Sequence, residues 1–355
     1  HEPHKMLCAF VLICLFLPCV LSAPNYLKPI SGPVKVGELL MSPVGAGTWA
    51  WGNQFLWQYK KDDDVILKSA YDYMASNNLI NWYDTADSYG TGSLSGRSES
   101  LLGQFDSETA KKPKKPVYFC TKLAPFPWRI GKQSMIDTFS QSRKRLGRPI
   151  DMLQLHWPPS LGWQESNYLD AFTEIIASKE AKQLGMSNFG PKGLRRIDSE
   201  LRKRGVTFHS NQVQFSLLSR QPLFNGFAET CAELQIQPIA YSPLALGLLT
   251  DKYTINNLPK GPRAILFREF LPVMSPLLNT LREIAKNRKK TVSQVALNWN
   301  LKKGFLVLVG IRSIDQAKEN AGAAGWSLSD AEELALDAAA DKVSKSLLQN
   351  PNQSD

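Results

Sequence analysis

Eight short β-rich runs follow one another along this chain, separated by stretches of helical periodicity, and their spacing leaves few folds open. The runs span Val44 to Thr48, Leu79 to Tyr83, Val117 to Thr121, Met152 to Leu155, Gln183 to Met186, Ser210 to Val213, Pro238 to Tyr241 and Leu306 to Val309. Helical candidates lie between them, such as Asp64 to Ser76, Gln133 to Leu146, Tyr168 to Ser178, Pro191 to Arg204, Leu223 to Leu234 and Ser275 to Asn287. The residues at the ends of the runs are Thr48, Asp84, Lys122, His156, Ser187, Gln212, Tyr241 and Gly310, separated by 36, 38, 34, 31, 25, 29 and 69 positions. A βα unit takes roughly thirty residues, so every gap but the last holds one crossover. Parallel strands require such crossovers, and eight of them predict an α/β fold, a (β/α)₈ TIM barrel.

The last gap is too long for one unit. The stretch Leu244 to Leu271, rich in Pro, Gly and basic residues, is expected to form an extended loop after the seventh barrel strand, where active-site covers commonly sit. A C-terminal helix is expected over Ser329 to Ser344, opened by the capping-box pattern Ser-Asp-Ala-Glu. The barrel should occupy 34–345 as a single domain, since the chain shows no repeat, low-complexity tract or clear linker, and in the polar tail 346–355 the stretch Gln349 to Asp355 should be frayed.

The N-terminal residues 1–23 read differently. Leu7 to Leu21 is uncharged and almost wholly apolar over fifteen residues, short of the roughly twenty that span a bilayer. Val20-Leu21-Ser22-Ala23 suits a signal peptidase, and His4 and Lys5 make a weak basic start, so this is expected to be a cleaved signal. A retained anchor, or an initiator at Met6, is the alternative. No later segment is long and apolar enough to cross a membrane, so no stable membrane association is expected once the leader is removed. The chain carries Lys+Arg 42 against Asp+Glu 32, a net charge of +10. Its basic residues are scattered in short clusters that read as solvated faces, so nucleic acid is not an expected partner. Three of the five cysteines, Cys8, Cys14 and Cys19, fall in the leader, and Cys120 and Cys231 alone cannot build a disulfide framework or a cysteine metal site.

Four ionisable residues stand where barrel enzymes place their chemistry, at the C-terminal ends of the strands. Asp84 and Tyr89 lie in D-T-A-D-S-Y-G, Lys122 closes Y-F-C-T-K, and His156 stands in L-Q-L-H-W-P. Each alone could be a cap, a rim ring, an ion-pair partner or a core histidine. Together they suit reduction of a carbonyl. Tyrosine, with an ordinary pKa near 10, is a reluctant proton donor, so Lys122 is expected to lower the Tyr89 pKa while Asp84 holds Lys122. His156 is expected to orient the substrate oxygen, and no metal is required. Across the barrel, the amides of Ser187-Asn188 and Gln212 can hold a nicotinamide carboxamide, with Tyr241 as a stacking ring. Gly310, Arg312 and the helix start that follows suit a phosphate. Gly45-Ala46-Gly47-Thr48-Trp49-Ala50 fits the dinucleotide pattern G-x-G-x-x-A, but it runs into an aromatic loop where that motif must open a helix. Trp49, Trp51 and Trp157 are expected to wall the substrate mouth.

These motifs resemble the aldo-keto reductases over nearly the whole body of the chain. The most specific pieces are D-T-A-D-S-Y-G, T-K, L-H-W-P, G-M-S-N-F, N-Q-V-Q-F-S, Y-S-P-L-A-L-G-L-L-T-D-K-Y and the Q-x-x-E-N ending. The resemblance implies a (β/α)₈ barrel, NADPH as cofactor, and a catalytic tetrad at Asp84, Tyr89, Lys122 and His156. It implies cofactor contacts at Thr48, Ser187, Asn188, Gln212, Tyr241, Ser242, Pro243, Leu244, Gly247, Lys252, Arg263, Gly310, Arg312, Gln316, Glu319 and Asn320. Y-S-P-L-A and Q-x-x-E-N are similar to the branch that includes potassium-channel β subunits, whereas G-T-W-A-W-G, G-P-R-A-I-L-F-R-E-F and A-G-A-A-G-W-S-L-S are similar to plant chloroplast members. Val309-Gly310 departs from the I-P-G usual after the eighth strand in that branch. The implied activity is NADPH-dependent reduction of a small aldehyde or ketone; the alternative is an NADPH-binding sensor subunit with little turnover, which the retained His156 argues against. A plastid destination by a bipartite address is implied, with the ER lumen or secretion as the alternative.

Overall fold

The structure, a computed structural model, describes residues 26–92, 95–110, 113, 115–347 and 350–353, so the leader-like segment lies outside the described residues. Its strands are β1 (Val34–Val36), β2 (Leu39–Met41), β3 (Val44–Gly47), β4 (Trp82–Asp84), β5 (Tyr118–Leu123), β6 (Ile150–Leu155), β7 (Ala181–Ser187), β8 (Phe208–Gln214), β9 (Gln237–Tyr241) and β10 (Leu306–Gly310). Strands β3 to β10 close into a parallel barrel in chain order, and β10 pairs back onto β3 from Val307↔Val44 to Gly310↔Gly47. Strands covered on both faces run largely apolar, and β5 and β6 are buried at every position, including where they carry Lys122, Asp151 and Gln154.

The helices bury one face each against this barrel. Pro191–Lys203 shows why: proline suits the first turn, and Leu194, Ile197 and Leu201 fall on one side and are fully buried. Its basic residues face outward into surface pairs, Arg195 with Glu233 at 2.6 Å and Arg196 with Glu165 at 2.8 Å.

The hairpin β1–β2 has no counterpart in the sequence reading. Its strands are three residues each, too short to show a period, and Gly37 turns between them at φ +56°. A Cβ on Gly37 would stand 2.0 Å from Gln183 Oε1, so the turn packs directly against the start of β7. Gly45 is structural in the same way: a Cβ there would lie 2.1 Å from the Trp82 indole, and the glycine pattern serves strand packing.

Two other segments depart from expectation. The stretch 244–271 is not an extended loop: it holds a 3₁₀ segment at Ala245–Thr250 and a helix at Arg263–Phe270 whose Phe267 and Phe270 are buried. Ser242, Ala245 and Leu246 all adopt positive φ, so this cover is wound tightly over the barrel. The tail is not frayed where it is described. Leu347 N–H donates to the Leu218 carbonyl, and Gln353 is buried with its carbonyl accepting from Asn225 Nδ2 at 2.8 Å.

The last helix, Asp330–Asp341, does begin with a capping box, Ser329 Oγ accepting from Glu332 N and Glu332 accepting from Ser329 N. Ser329→Ala should therefore lower unfolding stability by about 1 kcal/mol in a denaturant titration. Glu332 also carries Arg288, which holds its carboxyl at about 2, so the helix start keeps its negative charge well into acid.

Candidate active site

At the C-terminal rim of the barrel, where branched apolar side chains ordinarily fill the interior, this chain places a polar layer. Asp84 ends β4, Lys122 and Gln154 lie near the ends of β5 and β6, Gln212 lies in β8, and all four are buried. Lys122 Nζ pairs with Asp84 Oδ2 and donates to the Thr85 carbonyl at 2.8 Å. Gln154 Nε2 and Gln212 Nε2 donate to Asp84 Oδ1 at 2.8 and 3.0 Å. Both carboxylate oxygens are thus satisfied, which an ion pair with each partner 1% exposed requires.

The turn after β4 brings Tyr89 back over this pair. Thr85 N and Asp87 N donate to the Cys120 and Lys122 carbonyls at 2.9 and 3.0 Å, continuing the β4–β5 pairing past the strand end. The Asp87 carboxylate accepts from Ala124 N and pairs with Arg129 at 2.6 Å, tying the Tyr89 turn to the end of β5. Tyr89 then sits with the Lys122 ammonium 4.8 Å from its ring centre and the His156 ring edge-on at 5.6 Å. His156 follows β6 directly. Its N–H donates to Leu123, and its carbonyl accepts from Asn188 Nδ2 at 2.9 Å.

Burial sets the protonation of these groups. It pushes the Tyr89 pKa up; Lys122 lowers it as expected, but burial outweighs that effect and the net direction is upward. Burial alone would pull Lys122 down, but Asp84 and then Tyr89 more than offset it, and the ammonium is held above the usual lysine range. Burial, then the Lys122 and Arg129 cations, takes His156 well below the ordinary histidine value, so its ring is neutral at neutral pH. A protonated phenol, an ammonium behind it and a neutral imidazole beside it can together hold a carbonyl oxygen and deliver a proton to it.

The site opens into a cavity of about 1530 Å³ along the rim from β3 across β10 to β8. Asp84, Tyr89 and His156 line it, and Lys122 lies just behind them. Every residue anticipated for the cofactor lines it except Thr48, whose hydroxyl donates to the Asp84 carbonyl at 2.9 Å and accepts from Ser98 at 2.6 Å inside the core. On the far wall Tyr241 Oη donates to Asn188 Oδ1 at 2.9 Å and Ser187 Oγ to the Gln212 carbonyl at 2.9 Å. Trp49 and Trp157 line the cavity. Trp51 does not: it is fully buried, its Nε1 donates to the Ile311 carbonyl at 2.9 Å, and its ring packs on Phe105. Behind Trp157, outside the cavity lining, Phe126 lies edge-on to it at 5.9 Å and stacks on Trp128 at 4.5 Å.

Sequence reasoning missed Gln154, the Asp87–Arg129 pair and Gln353. A glutamine inside the apolar run Leu153-Gln154-Leu155 was a signal of an inward polar partner. Nothing local marked Gln353, whose Nε2 donates to Asn188 Oδ1 at 2.8 Å, a partner 165 positions away in the chain.

Proton delivery to an oxygen that gains charge, from a cavity long enough for a second reactant, is what an oxidoreductase acting on carbonyls needs. Residues 43–341 match the Aldo/keto reductase family. A chloroplastic pyridoxal reductase of Arabidopsis thaliana is 45% identical over 324 residues, covering 89% of this chain and 88% of that protein. An L-glyceraldehyde 3-phosphate reductase of Escherichia coli K12 is 28% identical, over 72% of this chain and 77% of its own. Among solved structures, an aldo-keto reductase from Klebsiella pneumoniae in complex with NADPH superimposes with a TM-score of 0.67 at 22% identity, over 90% of this chain and 99% of that one. The chain belongs to the aldo/keto reductase family, and it is an oxidoreductase.

Proposed function

We propose that this protein reduces the aldehyde group of a small flat aromatic substrate, with pyridoxal the leading candidate, using NADPH. The observation that carries the reading is the buried Asp84–Lys122 pair with Tyr89 and His156 at the head of the cavity. Tyr89 is the proton donor to the carbonyl oxygen, Lys122 partly offsets the effect of burial on its hydroxyl, Asp84 keeps Lys122 charged, and neutral His156 donates a hydrogen bond that orients the oxygen. Trp49 and Trp157 on the cavity wall favour a planar aromatic ring over an aliphatic chain. The relative named a pyridoxal reductase supports the same choice, and its chloroplastic location favours a plastid for this chain.

The cavity fits a dinucleotide by its own chemistry. The buried Trp57 Nε1 and Arg263 Nε on its wall lack hydrogen-bond partners among the described residues, as donors kept for a phosphate would. Asn188 and Gln212 would hold the nicotinamide amide, Tyr241 would stack on its ring, and Arg312 and Lys252 would meet phosphate charge. When bound, the cofactor supplies the hydride.

The test is NADPH oxidation by the purified protein with pyridoxal, pyridoxal 5′-phosphate, benzaldehyde and short aliphatic aldehydes. The expected result is the highest kcat/KM with pyridoxal. Tight NADPH binding with no oxidation by any carbonyl would sink the reading and leave a sensor.

A further inference from the structure

Trp57 contacts two of the cations on the cofactor wall, Arg263 and Arg312, and its place in the fold gives its free indole N–H a specific role. It ends the short helix Gln54–Trp57 in the segment after β3, whereas Arg263 comes from the cover after β9. Between β3 and β9 in the barrel lies β10, so a contact between these two segments spans the end of β10, where Gly310 and Arg312 line the cavity. That contact is a stack: the Arg263 guanidinium carbon lies 4.5 Å from the Trp57 ring centre. Trp49 braces the indole edge-on at 5.9 Å, and the Trp57 carbonyl accepts from Arg312 Nη1 at 3.1 Å. Arg263 is fixed at its other end by Nη1 donating to the Leu246 carbonyl at 3.1 Å.

The polar atoms of this stack are only half used. Trp57 Nε1 and Arg263 Nε are both buried and have no partner among the described residues, although both residues line the cavity. An unpaired buried N–H is costly, and here two belong to residues in stacking contact, one of them a guanidinium, which favours a shared anionic acceptor.

We propose that Trp57 is a cofactor-binding residue: its indole N–H and Arg263 Nε donate together to a phosphate oxygen of the dinucleotide, and its ring face holds Arg263 over that phosphate. This rests on the reading that the cavity takes NADPH. The phosphate chemistry is shared by the adenosine 2′-phosphate and the pyrophosphate, and the choice between them is open to direct measurement.

The experiment is a binding titration without substrate, following protein fluorescence and calorimetry, of wild type, Trp57→Phe and Trp57→Leu with NADPH and with NADH. Trp57→Phe keeps a ring for Arg263 and deletes the donor, and should raise the Kd for NADPH by roughly ten-fold or more, the range of a hydrogen bond to a charged group. Trp57→Leu loses donor and ring face and should weaken binding further. If NADPH alone weakens, the acceptor is the 2′-phosphate; if NADPH and NADH weaken alike, it is the pyrophosphate. Either supports the assignment. Variants that bind both dinucleotides as wild type does would overturn it. Wild type that binds neither would overturn the NADPH reading itself, which separates the two failures. Thermal unfolding checks that the variants fold, and the Leu variant carries the test should the Phe variant not.

Discussion

Tyr89→Phe should bind NADPH as wild type does and lose about two to four orders of magnitude in turnover of an aldehyde, the usual contribution of a positioned proton donor. The substitution removes one oxygen and leaves the ring against His156 and Lys122, so packing at 5.6 Å and the cavity wall persist. A stopped-flow or steady-state rate paired with a fluorescence titration separates chemistry from binding. Unchanged turnover would remove Tyr89 from the reaction. The direction of its pKa adds a second readout. Because burial outweighs Lys122, the Tyr89 hydroxyl titrates above the ordinary tyrosine value near 10. Reduction should therefore hold up across neutral and mildly alkaline pH and fall only when the hydroxyl ionises.

Lys122→Met and Asp84→Asn should each cost about 3–5 kcal/mol of stability, because each leaves an uncompensated charge in the interior. Both side chains are 1% exposed, and neither has water to fall back on. Asp84 without Lys122 keeps two amide donors, from Gln154 and Gln212, whereas Lys122 without the Asp84 charge keeps the Thr85 carbonyl. The double variant should cost less than the sum of the two, which a double-mutant cycle in denaturant would show. Additive costs would mean that the pair does not act as a unit. The wild-type pH dependence follows from the same contact: the Lys122 pKa is raised in the folded state, so its contribution is complete below the ordinary lysine value and is lost as pH rises through the folded one. Turnover should fall in both single variants even where the protein stays folded.

The barrel was legible because its signal is periodic. The spacing of Thr48, Asp84, Lys122, His156, Ser187, Gln212 and Tyr241 repeats a unit that only a parallel sheet with crossovers explains, and the strands closed in that order. The final helix was legible through its cap, since a capping box is a contact three residues long. The hairpin β1–β2 and the helix inside 244–271 were not, for the first is too short to show a period and the second follows a segment dense in Pro, Gly and Lys. The tail read as frayed because its residues are polar, yet Gln353 is buried against Asn188, a partner 165 positions away.

Trp49 and Trp51 mark the same boundary inside the site. They share one aromatic loop, and composition treats them alike, but Trp49 faces the cavity while Trp51 is buried on Phe105 with its N–H taken by Ile311. Thr48 divides in the same way, a rim residue by position and a core hydroxyl by contact. By itself the sequence determined the class of fold and the strand ends on which Asp84, Tyr89, Lys122 and His156 stand, because both depend on local periodicity and spacing. Tertiary structure alone decided which neighbours turn inward, that burial overrides Lys122 in the Tyr89 pKa, and that Trp57 meets Arg263 across β10. Those outcomes depend on desolvation and on contacts between distant segments, and neither exists until the chain has closed on itself.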